Sequence, residues 1–125
     1  MTNGESCNGL ETAQIDYERS RMAMTSGDTP TVLLTIAYDS GMDERIMETL
    51  QETGVTGWTK TAEAHGCGGA GFKLNSPIFP GSVVLLYLLL PAPDTPRVAE
   101  ALRALQKTYR RNPGLTMWTT PAQLL

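Results

Sequence analysis

The sequence is poor in the residues that build catalytic and metal centres. One histidine, His65, and two cysteines, Cys7 and Cys67, stand in 125 residues. Two thiols make no disulfide framework, and both read as free in a reducing compartment. The longest apolar run, residues 83–90, is eight residues, against roughly 20 for a membrane-spanning helix, so no membrane-inserted helix is expected. The opening M-T-N-G-E-S-C-N-G-L has neither a basic start nor an apolar stretch, which predicts no secretory signal and a cytoplasmic protein. Ten basic against thirteen acidic side chains give a net charge of -3, leaving no broad positive footprint for nucleic acid or an anionic membrane. There is no G-K-[ST] phosphate loop, and no nucleophile with an oriented base or paired carboxylates. A protein that is not an enzyme is expected.

Glycine, by contrast, is concentrated. Five of the 12 glycines fall between Gly66 and Gly81, after the alternating segment W-T-K-T-A-E-A and before the apolar run V-V-L-L-Y-L-L-L. That layout predicts a strand, a long glycine-rich loop and a strand buried on both faces. Loops of that length inside one domain are usually functional or disordered, so the ligand or partner site is sought there.

Taken in order, residues 1–30 are rich in Thr, Ser, Asn, Gly and charge and read as a polar, mobile leader. The exception is residues 10–24, which could form a weak docking helix. Met22 and Met24 offer internal translation starts. Residues 31–125 form the domain. T-V-L-L-T-I-A-Y has period two and predicts a strand. Asp39 and Ser40 are placed to cap a helix over 42–53, in which Met42, Ile46, Met47 and Leu50 recur at helical spacing and which Gly54 closes. The strand over 58–64 puts Trp58, Lys60, Ala62 and Ala64 on one side. After the strand over 82–90, Thr95 is placed to cap a second helix that begins at Pro96, with Val98, Ala101, Leu102, Leu105 and Tyr109 on its stripe. Residues 115–120 give the last strand. The order β-α-β-β-α-β predicts an α+β ferredoxin-like fold, an antiparallel four-stranded sheet with both helices on one face. The other face, with no further layer left in the chain, is expected to be covered by another copy, giving a homo-oligomer.

The stretch E-T-L-Q-E-T-G-V-T-G-W-T-K-T-A-E-A-H-G-C-G resembles the PII signalling family and its PII-like relatives: the end of the first helix, the turn into the second strand, and the G-x-G at the base of the T-loop. The likeness spans residues 50–71 by pattern and 31–120 by element order. It implies a homotrimer that binds a small effector in the clefts between subunits and uses the T-loop to touch a membrane transporter or enzyme. AMP, ADP, ATP or bicarbonate is the implied effector. Gly66 and Gly68 match the glycines at the T-loop base, where a side chain would obstruct the ligand. The loop lacks the family's tyrosine, and P-A-P-D-T-P stands where the family has a glycine-rich phosphate loop. Those departures imply fewer phosphates than three, or another binding mode.

The candidate ligand-binding residues are His65, Gly66, Cys67, Gly68, Gly71, Lys73, Lys60 and Phe79. The glycines, with Gly69, could form a nest of backbone N–H groups to which Lys73 or Lys60 adds charge. They could equally make only a sharp turn. Phe79 and Ile78 either line the cleft or anchor the loop base. His65 and Cys67, one residue apart, are the alternative: two soft metal ligands that would need Glu63, Cys7 or a neighbouring subunit to complete a shell.

Overall fold

The computed structural model describes residues 14–19, 21, 22, 24, 29–68, 71–78, 80–111 and 113–125. From residue 31 onward the strands and α-helices of the described residues are β1 (Thr31–Asp39), α1 (Asp43–Glu52), β2 (Thr59–Ala64), β3 (Gly66–Gly68), β4 (Gly71–Lys73), β5 (Val83–Pro91), α2 (Thr95–Gln106) and β6 (Thr116–Ala122). The main sheet has the order β2-β5-β1-β6 and is antiparallel throughout. This is the expected ferredoxin-like arrangement, with β3 and β4 added as a separate two-stranded sheet.

The core lies between the sheet and the two helices. In β5 every second residue is buried: Val84, Leu86, Leu88 and Leu90. They pair in register with Tyr38, Ile36, Leu34 and Val32 of β1. Over that row sit Met42, Ile46 and Leu50 from the first helical region and Val98, Leu102 and Leu105 from α2. Fully burying a side chain of this size contributes about 1.5–3 kcal/mol, so the two helices are held chiefly by this row. Helix α1 ends in a Schellman turn: Val55 N–H donates to Leu50 O and Gly54 N–H to Gln51 O, with Gly54 at φ 87°.

Both expected side-chain caps are replaced. A 3-10 turn, Ser40–Met42, leads into α1 and another, Ala92–Asp94, into α2, and neither helix start carries a side-chain cap hydrogen bond. Asp39 turns instead toward Lys73, and Thr95 is the first residue of its helix rather than the cap before it. The alternation expected of β2 also breaks. Thr59, Lys60 and Thr61 pair with Tyr87, Leu86 and Leu85, but the next pair is Ala64 with Val83, so one extra residue is accommodated in β2. Glu63 takes a left-handed φ of 60° there. A bulge of this kind bends the strand and re-aims the residues after it; Ala64 joins the face of Thr59 and Thr61, not that of Lys60.

The face of the sheet away from α1 and α2 carries Leu33, Thr35, Leu85, Tyr87 and Leu89. The helical residues 14–19, 21, 22 and 24 lie over part of it. Met24 is buried, and Tyr17 packs so close to Gly57 that a Cβ there would lie 2.4 Å from the ring. A partial third layer therefore comes from the chain itself, where the sequence pattern left the face wholly to another copy.

Candidate functional site

The glycine-rich segment begins as a hairpin. Gly66, Cys67 and Gly68 pair with Lys73, Phe72 and Gly71, so this part of the segment is extended and laddered rather than curled into a nest. In such a ladder alternate backbone groups point away from the partner strand and stay available. Gly66 sits against the sheet: a Cβ there would come 3.1 Å from Val83 Cγ2. The chain returns through a turn in which Asn75 N–H donates to Gly81 O at 2.8 Å. Asn75 and Gly81 both take left-handed φ, 53° and 89°.

At the hairpin base, Gly66, Cys67, Gly68, Gly71 and Lys73 face Asp39, Gly114 and Thr116 across a crevice of about 170 Å³. Lys73 Nζ lies 3.4 Å from Asp39 Oδ1, both side chains being mostly buried. Asp39 Oδ1 accepts no hydrogen bond among the described residues, so the contact is an ion pair. It fastens the hairpin to the end of β1. The ammonium keeps donors to spare for an oxyanion, while Asp39 opposes any anion that comes too near. A small anion fits the volume. Pockets for larger ligands run to about 300–1,000 Å³, so one copy alone does not enclose a nucleotide here.

Five of the expected site residues therefore meet: Gly66, Cys67, Gly68, Gly71 and Lys73. His65 is exposed just outside the crevice-lining set, and Phe79 lies outside the described residues. Lys60 is engaged elsewhere. Its Nζ reaches both carboxylate oxygens of Asp43 at 2.9 Å and stands 5.2 Å from the Trp58 ring centroid, a cation–π distance. Among the described residues no group of three His, Cys, Asp or Glu could hold a metal ion, so the His65–Cys67 pair gains no third ligand from them.

Sequence reasoning missed the polar cluster to which Lys60 belongs. Tyr38, fully buried, donates its hydroxyl to Asp43 Oδ1 at 2.6 Å. Burial, reinforced by the hydrogen bond to the Asp43 carboxylate and its charge, pushes the Tyr38 phenol far above its ordinary range. Burial alone would raise Asp43, but the hydrogen bonds from Tyr38 and Lys60 and the Lys60 charge outweigh it and hold the carboxyl below its ordinary value. The cluster ties β1, the start of α1 and β2 together near the crevice. A tyrosine on the buried side of a strand, five residues before an acid at a helix start, was the available signal.

A second and larger crevice, about 640 Å³, lies on the other face between the N-terminal helical residues and the sheet, walled by Tyr17, Met24, Leu33, Trp58, Tyr87 and Leu89.

No family model and no curated protein matches the chain. Solved structures do. CPII, a nitrogen regulatory PII-like protein from Thiomonas intermedia K12 bound to ADP, AMP and bicarbonate, superposes at a TM-score of 0.61, with 16% identity over 76% of this chain and 94% of that one. A PII-like signalling protein from Thermus thermophilus gives 0.54 and 21% identity over 75% and 88%. The B. subtilis GlnK–ATP complex gives 0.53 and 17% identity over 75% and 84%. Together with the strand order, these likenesses show that the chain has the ferredoxin-like fold of the PII and PII-like proteins.

Proposed function

We propose that the chain is a cytoplasmic PII-like regulatory protein, not an enzyme, that binds a small effector at the hairpin base and reports its presence through the glycine-rich segment. The observation that carries this reading is the crevice itself. A laddered glycine hairpin, an ammonium with spare donors and the end of β1 converge on a space sized for a small anion. Structures of the same fold hold ADP, AMP and bicarbonate in one case and ATP in another. An adenine nucleotide would need a second wall, which a neighbouring copy supplies if copies associate through the open sheet face. The family resemblance makes that assembly a trimer. Phe72, Leu74 and Ile78 are exposed on and beside the hairpin, an apolar surface suited to a protein target such as a transporter or an enzyme.

Calorimetric titration of the full chain with AMP, ADP, ATP and bicarbonate tests the reading. Saturable binding of at least one of them is expected, weakened about tenfold or more by Lys73→Met, since a charge-assisted contact contributes about 1.5–3 kcal/mol. Silence across the four compounds would sink it.

A further inference from the structure

The crevice at the hairpin base is lined by an acid as well as a base, and the acid is short of partners. Lys73 Nζ stands 3.4 Å from Asp39 Oδ1, yet that oxygen is buried and accepts no hydrogen bond among the described residues. A carboxylate can accept about four hydrogen bonds, and a buried polar atom with none is uncommon in a folded protein. The rest of the group is not sealed: Asp39 lines the crevice, and 26% of its side-chain surface is exposed. Gly81 adds no side chain beside the pair. A Cβ there would lie 3.4 Å from Asp39 Oδ1 and 3.5 Å from Lys73 Nζ. An anion entering the crevice therefore meets one group that attracts it and, in contact with that group, one that repels it.

We propose that Asp39 is the specificity-determining residue of the crevice: it admits oxyanions that carry a proton, such as bicarbonate or monohydrogen phosphate, and turns away those of the same shape and charge that carry none. The inference rests on the reading above that the crevice is the effector site, and adds which oxyanions that site accepts. Lys73 alone cannot make the distinction, because an ammonium donates to any oxyanion. An oxyanion held by Lys73 is brought close to Asp39, since the two charged groups touch. If the oxygen turned toward Asp39 carries hydrogen, it donates to the carboxylate in a charge-assisted bond of the strong kind. The proton stays on the ligand. If that oxygen carries only lone pairs, two negative oxygens meet with no proton between them, and the carboxylate acts as the repulsive element against the wrong ligand. A buried group left without its hydrogen-bond partner discriminates more steeply than a difference in size does.

The test is calorimetric titration of the full chain, at matched ionic strength and mildly alkaline pH, with two pairs of anions alike in shape and charge: bicarbonate against nitrate, and monohydrogen phosphate against sulfate. In whichever pair binds, the proton-bearing member should bind at least about tenfold more tightly, and the pair that binds distinguishes a carbonate-like effector from a phosphate-like one. Asp39→Asn keeps the shape of the side chain but offers amide donors and no charge, so the preference should fall below about threefold, with nitrate or sulfate binding more tightly than in the parent. A thermal melt confirms that the variant is folded, and loss of folding would not mimic a change in the ratio between two anions. Equal affinity within each pair in the parent, or a ratio that Asp39→Asn leaves unchanged, overturns the role of Asp39 while leaving the anion site standing. No binding of any of the four anions overturns the small-anion site and this inference with it.

Discussion

Replacing Tyr38 by phenylalanine removes one oxygen from the interior and tests the cluster at the start of α1. The hydroxyl is fully buried and sits 2.6 Å from Asp43 Oδ1. A hydrogen bond to a charged acceptor is worth about 1.5–3 kcal/mol. Asp43 keeps Lys60 as a second partner, and its side chain is 37% exposed, so water replaces part of what is lost and the low end applies. A loss of about 1.5 kcal/mol at pH 7 would lower Cm by about 0.7 M urea, for a slope of about 2 kcal/mol/M. The pH dependence makes the prediction specific. The phenol's folded pKa is raised, so its contribution is complete below the unfolded value of about 10 and is lost as pH rises above it. Each unit above that value costs the parent about 1.4 kcal/mol that the phenylalanine variant does not lose. The two proteins should converge near pH 11. On the acid side the Asp43 pKa is lowered; its contribution is present above the ordinary carboxylate range and fades as pH falls through the folded value, so the gap narrows there as well. Urea titrations of both proteins across the pH range read the difference directly. A gap that stays constant from pH 7 to pH 11 would refute the argument, because it would mean that the phenol ionises as freely folded as unfolded.

Leu86→Ala should cost about 2–5 kcal/mol, since Leu86 is fully buried at the centre of β5 opposite Ile36; a loss under about 1 kcal/mol in urea melts would mean that the helices do not seat on this row. Gly81→Ala should destabilise by about 1–2 kcal/mol, through a φ of 89° that alanine tolerates poorly and a Cβ placed 3.2 Å from Lys73 Cδ. The same change should weaken effector binding more than it lowers the melting midpoint, since it displaces the crevice lysine; unchanged binding would separate Lys73 from the site.

The fold was legible wherever burial imposes a period. The eight apolar residues at 83–90 and the stripe from Val98 to Leu105 announce a covered strand and a one-sided helix because a wrong register would wet several large side chains at once. Gly54 was legible for a different reason, as the position after α1 that needs a left-handed backbone. The crevice was half legible: glycines next to a strand marked the place, and Lys73 supplied the charge. Lys60 misled because it looked like a second charge for the same ligand, and nothing local shows that an acid 17 positions earlier will take it. Nor does the pattern A-E-A-H-G reveal the bulge at Glu63, since a bulge depends on which partner residues lie across the ladder. The hairpin was hidden for a related reason. Glycine has weak strand propensity, so only cross-strand pairing within the loop, not its composition, produces β3 and β4.

For the proposed effector to signal, the hairpin must have two arrangements to which it binds unequally. The contacts that join the described part of the hairpin to the sheet include the Lys73–Asp39 ion pair, the approach of Gly66 to Val83, and the turn closed by Asn75 and Gly81. An anion that simply captured Lys73 would strand Asp39, whose Oδ1 is buried, and an uncompensated buried carboxylate costs several kcal/mol. The cheaper course keeps the ion pair and adds the anion to the remaining donors of Lys73 and to the outward backbone N–H groups of the glycine strands. Binding in that mode joins the two strands and the end of β1 through one ligand, so it tightens the hairpin against the sheet rather than freeing it. The sign of the signal is then fixed: effector should protect the amides of residues 66–73 from hydrogen exchange, and an effector that speeds their exchange would show that Lys73 is pulled away from Asp39.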